Sequence, residues 1–270
     1  MPFLRKSEFT MARRTSTSAT YDVVVVGARP AGAATALLLS RAGLRVLVVD
    51  RDRHGADTVS THALLRGGVL QLARWGVLGR VEAAGTPPVR GCVFHFGADQ
   101  IEIPVKPAAG VPALYAPRRT VLDAILVDAA KDAGAEVRFG IAVTDLRRDR
   151  QGRVTGVAGR DERGTAFEAR ARIVVGADGI GSIIARRSGA PVERKGNSAC
   201  AFIYGYWDGL PIVDYELCYQ PGIAAGFFPT NDRQTCVFVG TTPQRYRRET
   251  KAAGVAVTYA RLLDEAAPGA

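Results

Sequence analysis

A glycine turn between a β-branched run and an apolar helix constrains the fold of this chain most. Residues 23–26 are four valines in a row, which is typical of a parallel strand buried on both faces. Gly27 permits a sharp turn, and Pro30 suits the first turn of a helix. A second apolar run, 46–49, ends in Asp50, roughly 20 residues past the turn. Because a helix N-terminus attracts a pyrophosphate and a carboxylate can hold a ribose, the segment predicts a dinucleotide site.

Arg29 stands in the middle glycine position of the G-x-G-x-x-G pattern that dinucleotide sites favour. Pro30 biases the preceding residue toward an extended conformation, which places the Arg29 side chain outside the turn. We therefore expect its guanidinium to make a charge-assisted contact with the pyrophosphate. The alternative to a dinucleotide site is an ordinary βαβ unit in which Gly27 and Gly32 serve only the backbone conformation. A phosphate-binding P-loop is excluded, because residues 33–34 are Ala-Ala where Lys and Ser/Thr would have to follow.

Composition and charge narrow the class of protein. The chain has 270 residues and is 47% hydrophobic, enough for a substantial core. Its net charge of +10 suits anionic cofactors, and the arginine clusters at 147–150 and 245–248 are interpreted as solvated turns or helix ends. No apolar run approaches a transmembrane length, and residues 1–20 lack the apolar core of a signal peptide. We therefore predict a cytoplasmic location, no nucleic-acid partner and no transmembrane segment.

The cysteines and histidines form no ligand pattern. The four cysteines lie far apart without a C-x-x-C pair, and they are predicted to be buried reduced thiols: Cys92, Cys200, Cys218 and Cys236. The three histidines have no metal-ligand spacing either. The sequence thus predicts no metal site.

The order of predicted elements indicates an α/β fold. A helix is expected within 60–76 and another at 119–133, with two short strands between them at 89–96 and 100–105. A β-meander follows, at 142–146, 154–158 and 166–171, and then a buried strand at 172–175. Four aromatic-rich antiparallel strands are predicted at 199–207, 213–219, 224–229 and 234–240.

Three motifs in this order resemble the flavoprotein monooxygenase superfamily, the group that includes para-hydroxybenzoate hydroxylase and geranylgeranyl reductases. They are the glycine turn with Asp50, the Arg-Thr-Val-Leu start of a helix at 119–122, and Gly-Ala-Asp-Gly-x-x-Ser-x-x-x-Arg at 176–186. The resemblance covers about residues 21–240. It implies a Rossmann-like FAD-binding domain, with a parallel sheet and an inserted β-meander, interleaved with an antiparallel-sheet substrate domain.

The resemblance also implies how the chain is divided. After a disordered leader at 1–20, the FAD-binding domain takes 21–88 and 118–190, and the substrate domain takes 89–117 and 191–270. Members of the superfamily carry a third FAD motif, a strand that ends in Gly-Asp, and this dipeptide does not occur in the chain. We therefore expect a member truncated at its C-terminus.

Roles for individual residues follow from the same resemblance. The implied contacts are Gly27, Ala28, Ala31 and Gly32 with the pyrophosphate, Asp50 with the adenosine ribose, Arg51 and Val143 with adenine, and Asp178 and Gly179 with FAD and visiting NAD(P)H. Arg119 would reach the pyrophosphate or the ribityl chain, and a surface salt bridge is its alternative. Arg186 lies one residue later than the family spacing requires, so it is not assigned a role in the site. His62 would pass near the flavin ring and is a candidate to orient substrate or move a proton, with a purely structural role as the alternative.

Three functions are compatible with these motifs. The favoured one is an NAD(P)H-dependent flavin monooxygenase that uses molecular oxygen to hydroxylate an apolar or aromatic small molecule, and the other two are alternatives. The second is a flavin reductase of isoprenoid double bonds, because Gly-Phe-Phe-Pro at 226–229 resembles the substrate strand of geranylgeranyl reductases. Thr230 stands where that pattern has lysine. The third is a non-catalytic module that binds a flavin or nucleotide.

Overall fold

The computed structural model describes residues 20–60, 63–196 and 199–268, and two six-stranded sheets organise them. The strands are β1 (Thr20–Val26), β2 (Val46–Val49), β3 (Gly91–Phe96), β4 (Asp99–Pro104), β5 (Glu136–Arg138), β6 (Ile141–Arg148), β7 (Val154–Asp161), β8 (Ala166–Gly176), β9 (Ala201–Asp208), β10 (Tyr215–Gln220), β11 (Ile223–Pro229) and β12 (Gln234–Thr241). The helices are α1 (Pro30–Arg41), α2 (Arg66–Arg74), α3 (Leu78–Ala83), α4 (Arg119–Asp132), α5 (Ile183–Ser188), α6 (Pro243–Ala253) and α7 (Val255–Ala266). The predicted α/β architecture is confirmed.

The first sheet has a parallel half with the order β5-β2-β1-β8. Val23 of β1 lies between Val46 of β2 and Ile173 of β8, and the valines of β1 and β2 are buried. Helices α1 and α4 contact each other, and their alanine and leucine side chains belong to the same core as Val23 and Val46. The small residues of α1 permit this close packing. All carboxyl ends of the parallel strands therefore meet at one edge of the sheet.

The predicted meander extends this sheet instead of forming a separate layer. Strands β6, β7 and β8 are antiparallel neighbours, and β8 is one continuous strand of 11 residues. The prediction of two separate strands at 166–171 and 172–175 was therefore wrong. Their union has a simple cause: the first part of β8 pairs with β7 and the second part with β1, and Arg170 pairs with both.

The second sheet has the order β4-β3-β10-β11-β12-β9. Its pairs are antiparallel as predicted, except β3 and β10, which are parallel. Between β3 and β10 the chain forms β4, completes the first sheet and then forms β9, so a long crossover and not a hairpin joins the two strands, as a parallel pair requires. One face of this sheet packs against α7. The other face is aromatic and packs against residues that precede α4, including Leu114 and Ala116.

Some predictions fall outside these residues or stay untested. The leader at 1–20, apart from Thr20, and His62 lie outside the described part of the chain. The limits of the two domains stay a prediction. Within the described ranges, no helix is both long and apolar enough to cross a membrane.

Candidate cofactor site

Two strand-to-helix corners meet at the carboxyl edge of the parallel strands. The N–H of Gly27 donates to the carbonyl of Val49 (2.8 Å), and the N–H of Ala177 donates to the carbonyl of Val26 (2.8 Å). A Cβ atom on Gly27 would lie 2.3 Å from the Ala177 carbonyl oxygen, and Gly27 has a φ of +104°. A Cβ atom on Gly32 would lie 1.8 Å from the Gly27 oxygen. Both positions therefore require glycine for the corners to come this close.

The N-terminus of α1 is open to an anion. No side chain caps it, and its first turn contains no acidic residue. The residue before the helix, Arg29, is extended with φ −76° and ψ 179°, as its place before Pro30 predicts. The first N–H groups of a helix lack partners within the helix and carry a partial positive charge. This end of α1 therefore fits a pyrophosphate group.

Asp50 is fixed beside that helix end. Its Oδ2 accepts a hydrogen bond from the N–H of Ala28 (2.6 Å), and its Oδ1 accepts one from the N–H of Asp52 (2.8 Å). The residue is 8% exposed and lines the cavity described below. An ionised carboxylate has about four lone-pair sites, so two remain for a ribose diol. The geometry thus suits the role that the sequence predicts for Asp50.

A cavity of about 760 Å³ opens at this edge. Seven of the predicted site residues line it: Gly27, Arg29, Asp50, Arg51, Val143, Asp178 and Gly179. Ala28 lines a small recess beside it. Ala31, Gly32 and Arg119 lie outside both linings. The glycine turn with Asp50 and the 176–186 motif, which are far apart in sequence, therefore meet at the cavity, whereas the helix start at 119–122 does not line it.

Asp178 organises the second corner through its own hydrogen bonds. It accepts one from the Ser182 hydroxyl (2.6 Å) and two from the backbone N–H groups of Ile183 (2.7 Å) and Ile184 (3.2 Å). Burial alone would raise the pKa of the Asp178 carboxyl, but these hydrogen bonds outweigh it and hold the pKa below its ordinary value. Asp178 therefore stays ionised at neutral pH and caps the first N–H groups of α5. The same residue lines the cavity.

Arg29 and Arg119 share one carboxylate behind the glycine turn. Asp123 accepts hydrogen bonds from Nε and Nη2 of Arg119 (2.8 and 2.9 Å) and from Nη1 of Arg29 (3.0 Å). Arg29 also donates to Asp52 (3.1 Å). A salt bridge was the alternative for Arg119, and it is present, although Asp123 is buried instead of being at the surface. The pyrophosphate contacts predicted for both arginines stay predictions.

Sequence reasoning missed part of the cavity wall. Arg186 and Arg187 of α5 line it, and so do Ile141, Ala142 and Thr144, the neighbours of the predicted Val143 on β6. Arg186 was omitted because of its spacing, yet its Nη1 donates to the Gly181 carbonyl (2.6 Å), so the side chain bends back over the corner. The position of β6 follows from a hydrogen bond that joins the N–H of Ile141 to the Asp50 carbonyl (2.8 Å). The family spacing was a signal for Arg186, and the predicted adenine contact of Val143 was a signal for its neighbours on β6.

The cysteines carry free thiols that differ in burial. Cys236 is buried, Cys92 and Cys218 are half-buried, and all four thiols are free. Cys200 is exposed, so its predicted burial was wrong; it lies just before β9 begins. Within the described residues, no group of three His, Cys, Asp or Glu side chains could hold a metal ion.

Comparison with known proteins shows the family of the chain. Residues 20–262 match the family described as FAD binding domain. Digeranylgeranylglycerophospholipid reductase 2 of Methanopyrus kandleri is 33% identical over 234 residues, which are 82% of this chain and 54% of that protein. The chain thus spans about half the length of this relative.

Solved structures share the fold. A geranylgeranyl bacteriochlorophyll reductase-like protein from Thermoplasma acidophilum superimposes with a TM-score of 0.76 at 20% identity, over 93% of this chain and 62% of that one. PqsL of Pseudomonas aeruginosa, described as a probable FAD-dependent monooxygenase, gives a TM-score of 0.71 at 23% identity, over 87% and 64%. The chain therefore belongs to the FAD-binding-domain family, as the motifs predicted.

Proposed function

We propose that this protein is an FAD-dependent oxidoreductase that takes electrons from NAD(P)H and acts on an apolar or aromatic small molecule. The cavity of about 760 Å³ carries the proposal, because its wall combines the glycine turn, Asp50 and the Asp178 corner. In this arrangement the N-terminus of α1 holds the pyrophosphate and Asp50 holds the adenosine ribose. Arg51 and Val143 lie beside the adenine. The flavin supplies the redox chemistry when it is bound. The protein binds the cofactor, orients the substrate and excludes water from the site.

The aromatic face of the second sheet supports the proposal that the substrate is apolar. This face, opposite α7, carries a row of aromatic rings, among which Phe202 and Phe238 contact edge to face (5.6 Å between centroids) and Phe96 stacks on Tyr219 (5.3 Å). Phe96, Phe202 and Tyr219 are 48%, 53% and 38% exposed. Exposed rings on a sheet face offer apolar contact area to a ligand. A hydrogen bond from the N–H of Ser60 to the Tyr204 hydroxyl (3.3 Å) joins this sheet to the loop that follows β2.

Reduction of an isoprenoid double bond is the reaction we favour. The Methanopyrus kandleri relative is by name a reductase of a digeranylgeranyl lipid, and its similarity covers most of this chain. The Gly-Phe-Phe-Pro segment that suggested such a reductase lies on β11, where Phe228 belongs to the aromatic face. Hydroxylation is the second candidate, because exposed rings such as Phe96 and Phe202 also suit an aromatic substrate. The cytoplasmic location and molecular oxygen as a partner stay predictions.

Oxygen dependence tests the choice between these reactions. The flavin-loaded protein would be given NADH or NADPH together with a geranylgeranyl lipid, with and without oxygen, and the product would be weighed by mass spectrometry. We expect anaerobic turnover and a product heavier by two hydrogen atoms. A product heavier by one oxygen atom, formed only in air, would identify a hydroxylase. A protein that binds FAD but never oxidises NAD(P)H would instead be the non-catalytic module.

A further inference from the structure

Loop 52–58 forms part of the cavity wall, and three of its residues contact the Arg29 guanidinium. Asp52 and Thr58 of this loop line the cavity. The guanidinium of Arg29 donates to the carbonyl of Ala56 from Nη1 (2.6 Å) and to the carbonyl of Asp57 from Nη2 (3.2 Å). It also pairs with the carboxylate of Asp52 (3.1 Å). Three contacts therefore join one side chain to a single loop.

Arg118 also contacts this loop. Its Nη2 donates to the Asp57 carboxylate (3.1 Å), and its Nη1 donates to Gln234 of β12 (3.1 Å). The guanidinium carbon lies 3.7 Å from the ring centroid of Tyr206 on β9, at cation–π distance. The loop thus connects the cavity to the second sheet through two arginines.

Asp123 is the buried partner of the Arg29 guanidinium. Its side chain is 5% exposed, and it receives hydrogen bonds from both Arg29 and Arg119. The two arginines and the carboxylates of Asp52 and Asp123 form a balanced group of four charges. A buried carboxylate that accepts charge-assisted bonds from two guanidinium groups is costly to remove, because both cations lose their partner.

The donors of Arg29 leave little for a phosphate. A guanidinium has five N–H donors. Each Nη of Arg29 makes two contacts, with Ala56 and Asp123 from Nη1 and with Asp52 and Asp57 from Nη2. Only Nε–H is left without a contact among the described residues. Direct phosphate binding by the Nη groups would therefore have to break contacts that already exist.

We propose that Asp123 is a positioning residue of the cofactor site, and that it acts through Arg29 to hold the loop 52–58 against the cavity. In this role Arg29 serves the loop, and the pyrophosphate is held by the N-terminus of α1. The inference rests on the proposed function only in taking FAD as the ligand of the cavity.

A double-mutant cycle on FAD affinity tests this coupling. Asp123→Asn, Arg29→Ala and the double variant would be titrated with FAD, with flavin fluorescence as the readout. We expect each single substitution to weaken binding about tenfold, and the double variant to bind no more weakly than either. Tighter binding by Asp123→Asn, with a steeper salt dependence, would show that Arg29 is a direct phosphate ligand freed by the change. Additive losses, or no loss, would equally overturn the proposal.

A second measurement needs no FAD. Hydrogen exchange of the cofactor-free protein should be faster at the amides of loop 52–58 in Asp123→Asn than in the parent chain. The matched control is Asp132→Asn on the same helix, whose exposed side chain pairs with Arg80 (2.8 Å) away from this loop. Unchanged exchange in Asp123→Asn, or an equal change in the control, would refute the positioning role. Failure to bind FAD would refute the proposed function and leave this exchange test intact.

Discussion

The backbone N–H of Ala28 donates a 2.6 Å hydrogen bond to Oδ2 of Asp50, so the glycine turn and the end of β2 are directly joined. Asp50 therefore has two tasks: it faces the cavity, and it holds the N–H groups of Ala28 and Asp52. Two substitutions can separate these tasks. Asparagine keeps one oxygen that can accept a hydrogen bond from a backbone N–H, whereas alanine keeps none.

We expect Asp50→Ala to weaken FAD binding and to lower the free energy of unfolding by about 1–3 kcal/mol, since it leaves the buried N–H of Ala28 and the partly buried N–H of Asp52 without this partner. Asp50→Asn should weaken FAD binding with a smaller loss of stability. Thermal unfolding and flavin titration of both variants would check this. Wild-type FAD affinity in Asp50→Ala would show that the carboxylate serves only the strand end.

Gly32 should tolerate no side chain. Its Cβ would lie 1.8 Å from the Gly27 carbonyl oxygen, which is backbone and cannot move aside without opening the turn. Gly32→Ala should therefore lower the melting temperature and abolish FAD binding. Gly67→Ala is the matched control: a Cβ there would meet no atom within 4 Å, and the site lies in helix α2. The control should be neutral or more stable by about 0.5–1 kcal/mol, because alanine favours helix over glycine. Equal behaviour of the two variants would contradict this account.

The sequence predicted the parts of the site that local chemistry dictates. Gly27 and Asp50 follow from a turn and a strand end, and the extended backbone of Arg29 follows from Pro30. The partner of the Arg29 side chain could not be predicted, because Asp123 lies 94 residues away and only the packing of α4 on α1 brings it near. For the same reason, no local pattern showed that β3 and β10 pair in parallel. That β6 lines the cavity was predicted at Val143 alone, and through the family resemblance instead of a local pattern.

The Asp178 cap should make stability depend on acid pH. Hydrogen bonds outweigh burial and hold the pKa of this carboxyl below its ordinary value of 3.8 in the folded protein. A lowered pKa in the folded state means that the stabilisation is full above that ordinary value and is lost as the pH falls through the folded-state pKa. We expect Asp178→Asn to lower the melting temperature at pH 7, with the difference from wild type shrinking below about pH 4. Asp264→Asn, at an exposed position of α7, is the control; a pH-independent difference for Asp178→Asn would contradict the prediction.

The cysteines should differ sharply in reactivity. Cys200 is exposed, whereas Cys236 is buried and its burial raises the pKa of the thiol to about 12. Because the thiolate is the reactive form, a thiol reagent at pH 8 should modify Cys200 first and Cys236 only after unfolding. Burial also raises the pKa values of Cys92 and Cys218, which should react at intermediate rates. Cys200→Ser should remove the fast phase of labelling, and Cys236→Ser should leave it unchanged. A fast phase that survives Cys200→Ser would show that a second thiol is accessible in the folded protein.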